Sequence, residues 1–220
     1  MLNKILKTIK NLIVVETHSE QRSRRPTAAG LREGDSAGAG IEELDLRVIG
    51  LFSDVEQEKT AELAQTLIYL NELNKIEKDK DKKKPIDFYI STYGGSADDM
   101  FALYDLMNIV KEDTDIKTIG LGKVMSAGVL LLAAGTKGER RIGKNCRVMI
   151  HNVVAGNHGS LPNLTNELEA IQQLQDDYVD ALVESTKLSK KKLKKILNEK
   201  VNVYLSAEEA VQYGIADIII

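Results

Sequence analysis

Apolar positions along this chain switch repeatedly between a spacing of two and a spacing of three to four residues, the periods of strands and of helices. The opening "MLNKILKTIKNLIVV" gathers Leu2, Ile5, Leu6, Ile9, Leu12 and Ile13 on one helical face opposite several lysines. Such a segment suits docking within an assembly; lying on a membrane or serving as a removable leader are the alternatives. Periodicity then vanishes from Glu16 to Gly40, where "SEQRSRRPTAAGLREGDSAGAG" has the composition of a flexible linker or loop. Residues 1–40 therefore read as a flexible N-terminal appendage, and residues 41–220 as the globular domain.

Within that domain, "DLRVIGLF" predicts a strand, and Ser53 with Glu56 has the spacing of a capping box ahead of the helical pattern in "VEQEKTAELAQTLIYLNELN". The charged run from Lys75 to Lys84 reads as a solvated loop. "PIDFYIS" predicts a buried strand, Gly94-Gly95 a turn, and "SADDMFALYDLMNIVK" a helix. "DIKTIGLG" is a further strand, followed by an apolar helix that begins at Ser126, and "CRVMIH" is a strand ending on His151. A long amphipathic helix from about Asn163 to Thr186 and a lysine-rich one from about Ser189 to Glu199 come next. The chain closes with the strand "VNVYL", a helix capped by Ser206 and Glu209 and stopped by Gly214, and the strand "IADIII". Strands alternating with helices imply an α/β domain with mostly parallel pairing.

Composition narrows the classes. A formal net charge of −3 gives no electrostatic case for nucleic acid. The apolar runs fall short of the ~18 residues a bilayer span requires, so no membrane role is expected and a cytoplasmic protein is. The single cysteine, Cys146, excludes an intrachain disulfide and cannot anchor a thiolate zinc site alone. No phosphate-binding loop motif appears, and neither a cofactor nor a metal is expected.

"GKVMSAGVLLLAAG" raises the central question of whether Ser126 is a helix N-cap or a nucleophile. Serine is favoured at N-caps for backbone reasons. A serine on a tight strand-to-helix turn also presents its hydroxyl at a sheet edge, where the first amides of the helix point outward and suit an oxyanion. The decision rests on a base. His151 ends a strand and precedes a polar loop, which makes it a candidate, with a hydrogen-bonded structural histidine as the alternative. His158, in "AGNHGS", reads as solvated, and His18 lies in the appendage. The Gly-x-Ser-x-Gly nucleophile elbow is not met, because Val124 stands where its first glycine would be.

Taken together, "ISTYGGSADDMFALYDLM", "MSAGVLLLAAGTKGER", "CRVMIH" and "YLSAEEAVQYGIADII" resemble the ClpP family of proteolytic subunits of Clp proteases, over roughly residues 41–220. The resemblance implies a crotonase-like spiral of ββα units with a protruding handle helix. It implies Ser126 as nucleophile, His151 as general base, and the backbone amides of Gly95 and Ala127 as the oxyanion hole, with glycine at 95 keeping the approach of a substrate carbonyl clear. It further implies a homo-oligomer of stacked heptameric rings interlocked by the handle, polypeptide substrates, and an AAA+ unfoldase that feeds the chamber and consumes ATP itself. Residues 1–40 would then be a propeptide or an axial segment.

The sequence departs from that pattern at three places. Asn202 stands at the family's triad aspartate; its carbonyl oxygen can accept from a ring N–H but carries no charge. Tyr93 replaces a proline before the Gly-Gly pair, and Val153 a proline two residues after the histidine. Asp176, Asp177 and Asp180 read as the solvated face of the handle helix. Two functional readings follow: a serine endopeptidase attenuated by Asn202, or a weakly active or non-catalytic paralogue serving as a structural or regulatory ring subunit. An acyl-CoA enzyme of the crotonase type has little support, since that chemistry needs no Ser-His pair.

Overall fold

The computed structural model describes residues 46–199 and 202–220. The amphipathic opening, the appendage and His18 lie outside the described residues. A seven-stranded sheet carries the fold. Strands β1 (Val48–Leu51), β2 (Ile86–Thr92), β3 (Ile116–Met125), β4 (Arg141–Ile142) and β7 (Ile218–Ile219) lie side by side in that order, all parallel. Strand β5 (Arg147–His151) joins β3 in parallel, and β6 (Asn202–Leu205) pairs antiparallel with β5.

The ten residues of β3 serve two neighbours in succession. Ile119 and Gly120 pair with β4, whereas Lys123, Val124 and Met125 pair with β5. Between these stretches the register against β2 shifts, from Ile90 opposite Gly120 to Thr92 opposite Val124, and Gly122 sits at φ +64°. A bulge bends the strand that carries the extra residues. Here it redirects the end of β3 toward β5, and so toward His151.

Among the described residues six α-helices accompany the sheet: α1 (Gln57–Ile76), α2 (Ala97–Val110), α3 (Ala127–Ala133), α4 (Leu161–Ser185), α5 (Lys190–Glu199) and α6 (Ala207–Gln212). Strand β2 alternates buried and half-buried positions, with Ile86, Phe88 and Ile90 in the core. All seven residues of α3 are buried, as "AGVLLLA" requires. Each of Leu130, Leu131 and Leu132 is fully buried and contributes about 1.5–3 kcal/mol by leaving water. The first half of α4 is almost wholly exposed, while Tyr178, Val179, Ala181 and Leu182 in its second half are buried. The helix thus protrudes from the body by one end. This is the ClpP/crotonase-like α/β fold with its handle that the motifs imply.

Two expectations need correction. Helix α1 starts at Gln57 with no side-chain cap, and the Ser53 hydroxyl donates to the Asp54 carbonyl instead of capping. The reason is Val55, whose N–H donates to the Gly94 carbonyl and whose carbonyl accepts from Ser96 N–H, which holds the chain extended there. The run 75–84 is not all loop, since α1 continues to Ile76 and Lys80–Lys82 form a 3₁₀ turn. Elsewhere the Ser206–Glu209 capping box forms with both of its hydrogen bonds, and Gly214 takes φ +73°.

Candidate active site

Ser126 follows directly on the end of β3 and precedes α3, at φ 53° and ψ −122°. It is the one non-glycine residue with positive φ among the described residues. An ordinary N-cap has extended backbone and a side chain bonded to the helix amides. Ser126 has neither, so the reading of this hydroxyl as a cap is corrected. Its N–H donates to the Met149 carbonyl at 2.8 Å, which continues the β3–β5 ladder one residue past the strand. Its carbonyl accepts from the hydroxyl of Tyr178 on α4 at 3.2 Å. Burial pushes the Tyr178 hydroxyl pKa up, so it stays a proton donor.

That conformation aims the hydroxyl at His151. Ser126 Oγ and His151 Nε2 are 2.7 Å apart. Burial pushes the His151 pKa below its ordinary 6.5. The imidazole is therefore neutral at pH 7, as a proton acceptor must be. For Nε2 to accept from the serine hydroxyl, a neutral imidazole must carry its proton on Nδ1.

Strand β6 brings Asn202 directly opposite His151 in the antiparallel register. Residues directly opposite one another project to the same face, with Cβ atoms about 4.5–5.5 Å apart. The Asn202 side chain is exposed and makes no hydrogen bond to the imidazole among the described residues. Asp176 and Asp180 are ion-paired with Lys194 and Lys190 of α5, and Asp177 accepts from Gln173. His158 is exposed in the loop beyond His151.

Opposite the Ser-His pair runs the Gly94-Gly95 turn. A Cβ on Gly94 would stand 2.6 Å from the Cβ of Ser126, and one on Gly95 would overlap the backbone of Val55. Both glycines also take positive φ. Close backbone packing thus demands glycine at 95, a reason distinct from clearance for a substrate carbonyl. Among the described residues, the N–H groups of Gly95 and Ala127 donate to no acceptor. Both residues line, with Ser126 and His151, a cleft of about 480 Å³. Tyr93 is 65% exposed on its wall. The ammonium of Lys123 lies 4.4 Å from the ring centroid, a cation–π contact.

Two contacts from α4 are not legible in the local sequence pattern: Tyr178 donates to the Ser126 carbonyl, and Gln175, one turn earlier, accepts from the Val153 N–H at 2.7 Å. The spacing of Gln175, Tyr178 and Leu182 marks one face of the helix, but not what that face touches. Among the described residues there is no group of three or more His, Cys, Asp or Glu suited to a metal ion. No described helix is long and apolar enough to cross a membrane. Burial raises the Cys146 thiol pKa to about 11, which keeps it protonated.

A profile of the Clp protease family matches residues 38–220. The ATP-dependent Clp protease proteolytic subunit of Deinococcus radiodurans is 32% identical over 174 residues, covering 79% of this chain and 80% of that protein.

Proposed function

Since the chain belongs to the Clp protease family, we propose that it is a serine endopeptidase in which Ser126 is the nucleophile and His151 its general base. The observation that carries this reading is the 2.7 Å Ser126 Oγ–His151 Nε2 hydrogen bond within the cleft. Oγ adds to the carbonyl carbon of the scissile bond while Nε2 takes its proton. The negative charge that forms on the carbonyl oxygen meets the N–H groups of Gly95 and Ala127. The imidazolium then passes its proton to the leaving amine as the C–N bond breaks. Water, deprotonated by the same nitrogen, releases the acyl group and restores the serine. Asn202, across the ladder from His151, is the group proposed to accept from Nδ1–H through its carbonyl oxygen. It would hold the tautomer without supplying charge.

Substrates are proposed to be unfolded polypeptides bound as an added strand, read through main-chain hydrogen bonds and hence of loose sequence preference. The exposed apolar side chains of the handle, Leu161 at 77% and Leu168 at 56% exposure, call for a cover. They support an assembly in which handles interlock as stacked heptameric rings, inside which the clefts would lie. An ATP-consuming AAA+ unfoldase is the proposed feeder, and the cytoplasm the proposed location. A start of the folded domain near residue 41 is supported by a family match that begins at residue 38.

One observation favours the second reading, a weakly active ring subunit: the Asn202 side chain is exposed and unbonded to His151. A serine-directed fluorophosphonate distinguishes the two. The first reading expects covalent labelling of the parent, none in Ser126→Ala, and loss of peptide hydrolysis with assembly retained. A parent protein that neither labels nor cleaves would leave the structural-subunit reading standing.

A further inference from the structure

We infer that Gln175 is a positioning residue for His151, acting through the backbone of Val153. The inference rests on the Ser126–His151 reading above.

Strand β5 ends at His151, and residues 152–159 form no regular secondary structure. A base at the end of a strand, followed by an irregular loop, keeps its rotamer only if that loop is fastened. Two hydrogen bonds fasten it. The Asn152 amide donates to the Leu197 carbonyl at 3.2 Å, and the Val153 N–H donates to Gln175 Oε1 at 2.7 Å. The second is the shorter, and it pins the main chain itself two residues beyond the imidazole.

The placement of Gln175 makes this bond more than a surface contact. Gln175 is half-buried while its neighbours Asp176 and Asp177 are exposed, so its side chain turns toward the body. Three residues later on the same face, Tyr178 holds the Ser126 carbonyl. The root of α4 thus grips the backbone on both sides of the 2.7 Å Ser-His bond, one grip through Tyr178 and the other through Gln175. Val153 is half-buried, and its N–H has no other acceptor among the described residues. If Gln175 lost its oxygen, a partly desolvated donor would be stranded, and the loop would move to satisfy it. A proline at 153 would present no N–H and would fix φ at that position, which removes the need for an acceptor.

The test is a double-mutant cycle in the full-length protein, read by hydrolysis of a short fluorogenic peptide and by the rate of fluorophosphonate labelling at Ser126. Gln175→Met keeps the length of the side chain and removes the acceptor. It should lower kcat and the labelling rate about tenfold, because a misplaced base costs rate at this scale, while KM stays within about twofold. Gln175→Glu keeps an acceptor oxygen and should retain most of the rate. In a Val153→Pro background, Gln175→Met should cost less than about twofold. A loss of equal size in both backgrounds, or a fall in binding alone, overturns the inference. Amide hydrogen exchange of the parent gives a check that needs no variant: Val153 should be protected beyond Val154 and Ala155, and a fast-exchanging Val153 overturns the inference. A parent that neither turns over nor labels overturns the serine reading, and this inference with it.

Discussion

Replacing Ser126 by glycine and, separately, by alanine tests whether the backbone there is strained. Both variants lose the hydroxyl and its 2.7 Å bond to His151, so that contribution cancels between them. What remains is φ 53°, ψ −122°. A non-glycine residue held in such a region costs about 1–3 kcal/mol, a cost that alanine keeps and glycine escapes. Against this, glycine loses more chain freedom on folding, about 0.5–1 kcal/mol relative to alanine. The difference favours glycine by about 1 kcal/mol, where unstrained positions favour alanine. For a domain of this size that is about 2–4 °C in Tm. The assay is thermal unfolding of both variants at one protein concentration, since assembly makes the midpoint concentration-dependent. An alanine variant as stable as the glycine variant, or more so, would refute the strain argument. Ser126 would then be an ordinary turn residue.

Two further outcomes follow from the environment of His151. Because burial depresses its pKa, the acid limb of kcat/KM should fall below pH 6.5, with activity present above that pKa and lost as pH drops through it. The stability sign agrees: a histidine with a lowered folded pKa contributes stability that is present above its unfolded value and lost as pH falls through the folded value; urea unfolding across pH 5 to 8 reads it. Asn202→Asp should add a charge beside the imidazolium, raise peptide turnover up to about fivefold and move the acid limb upward, in keeping with at most about 1 kcal/mol for an exposed charge pair. Unchanged turnover and an unmoved limb would show that position 202 does not contact Nδ1–H.

Much of this architecture was legible because its elements are long and strongly periodic. "PIDFYIS" and "SADDMFALYDLMNIVK" match β2 and α2 nearly to the residue, since a short apolar run and a long helical period stand on either side of the Gly94-Gly95 turn. Strand β4 is two residues long and has no period to read. The Ser53–Glu56 capping box failed for a tertiary reason, the capture of Val55 by the Gly94–Ser96 turn, which no local pattern records. Gly95 was flagged, but its steric partner was not. The overlap with Val55 exists only once β1 and β2 are side by side. Tyr178 and Gln175 were hidden because a helix that protrudes at one end and is buried at the other averages to a plain amphipathic pattern.

The backbone positions of Ser126 and His151 are set by a shared ladder, and that explains how a strained serine is tolerated. Met125 pairs with Met149, and the Ser126 N–H extends the pairing to the Met149 carbonyl. His151 lies two residues farther along the same strand, so its side chain shares a face with that of Met149. Strand β6 then sets Asn202 against His151 in the next row. Each of the three positions therefore sits at or just beyond the end of one of three adjacent strands, and its place is fixed by backbone hydrogen bonds whose distances vary little. Register is binary: a one-residue slip of β6 would turn Asn202 to the opposite face and bring a valine beside the imidazole. The burial of Leu205 and the exposure of Tyr204 resist that slip, because reversing them would place a leucine in water and a tyrosine in the core. The apolar pattern of "VNVYL" thus keeps Asn202 on the face of β6 that meets His151, and the hydrophobic core specifies the register on which the site is built.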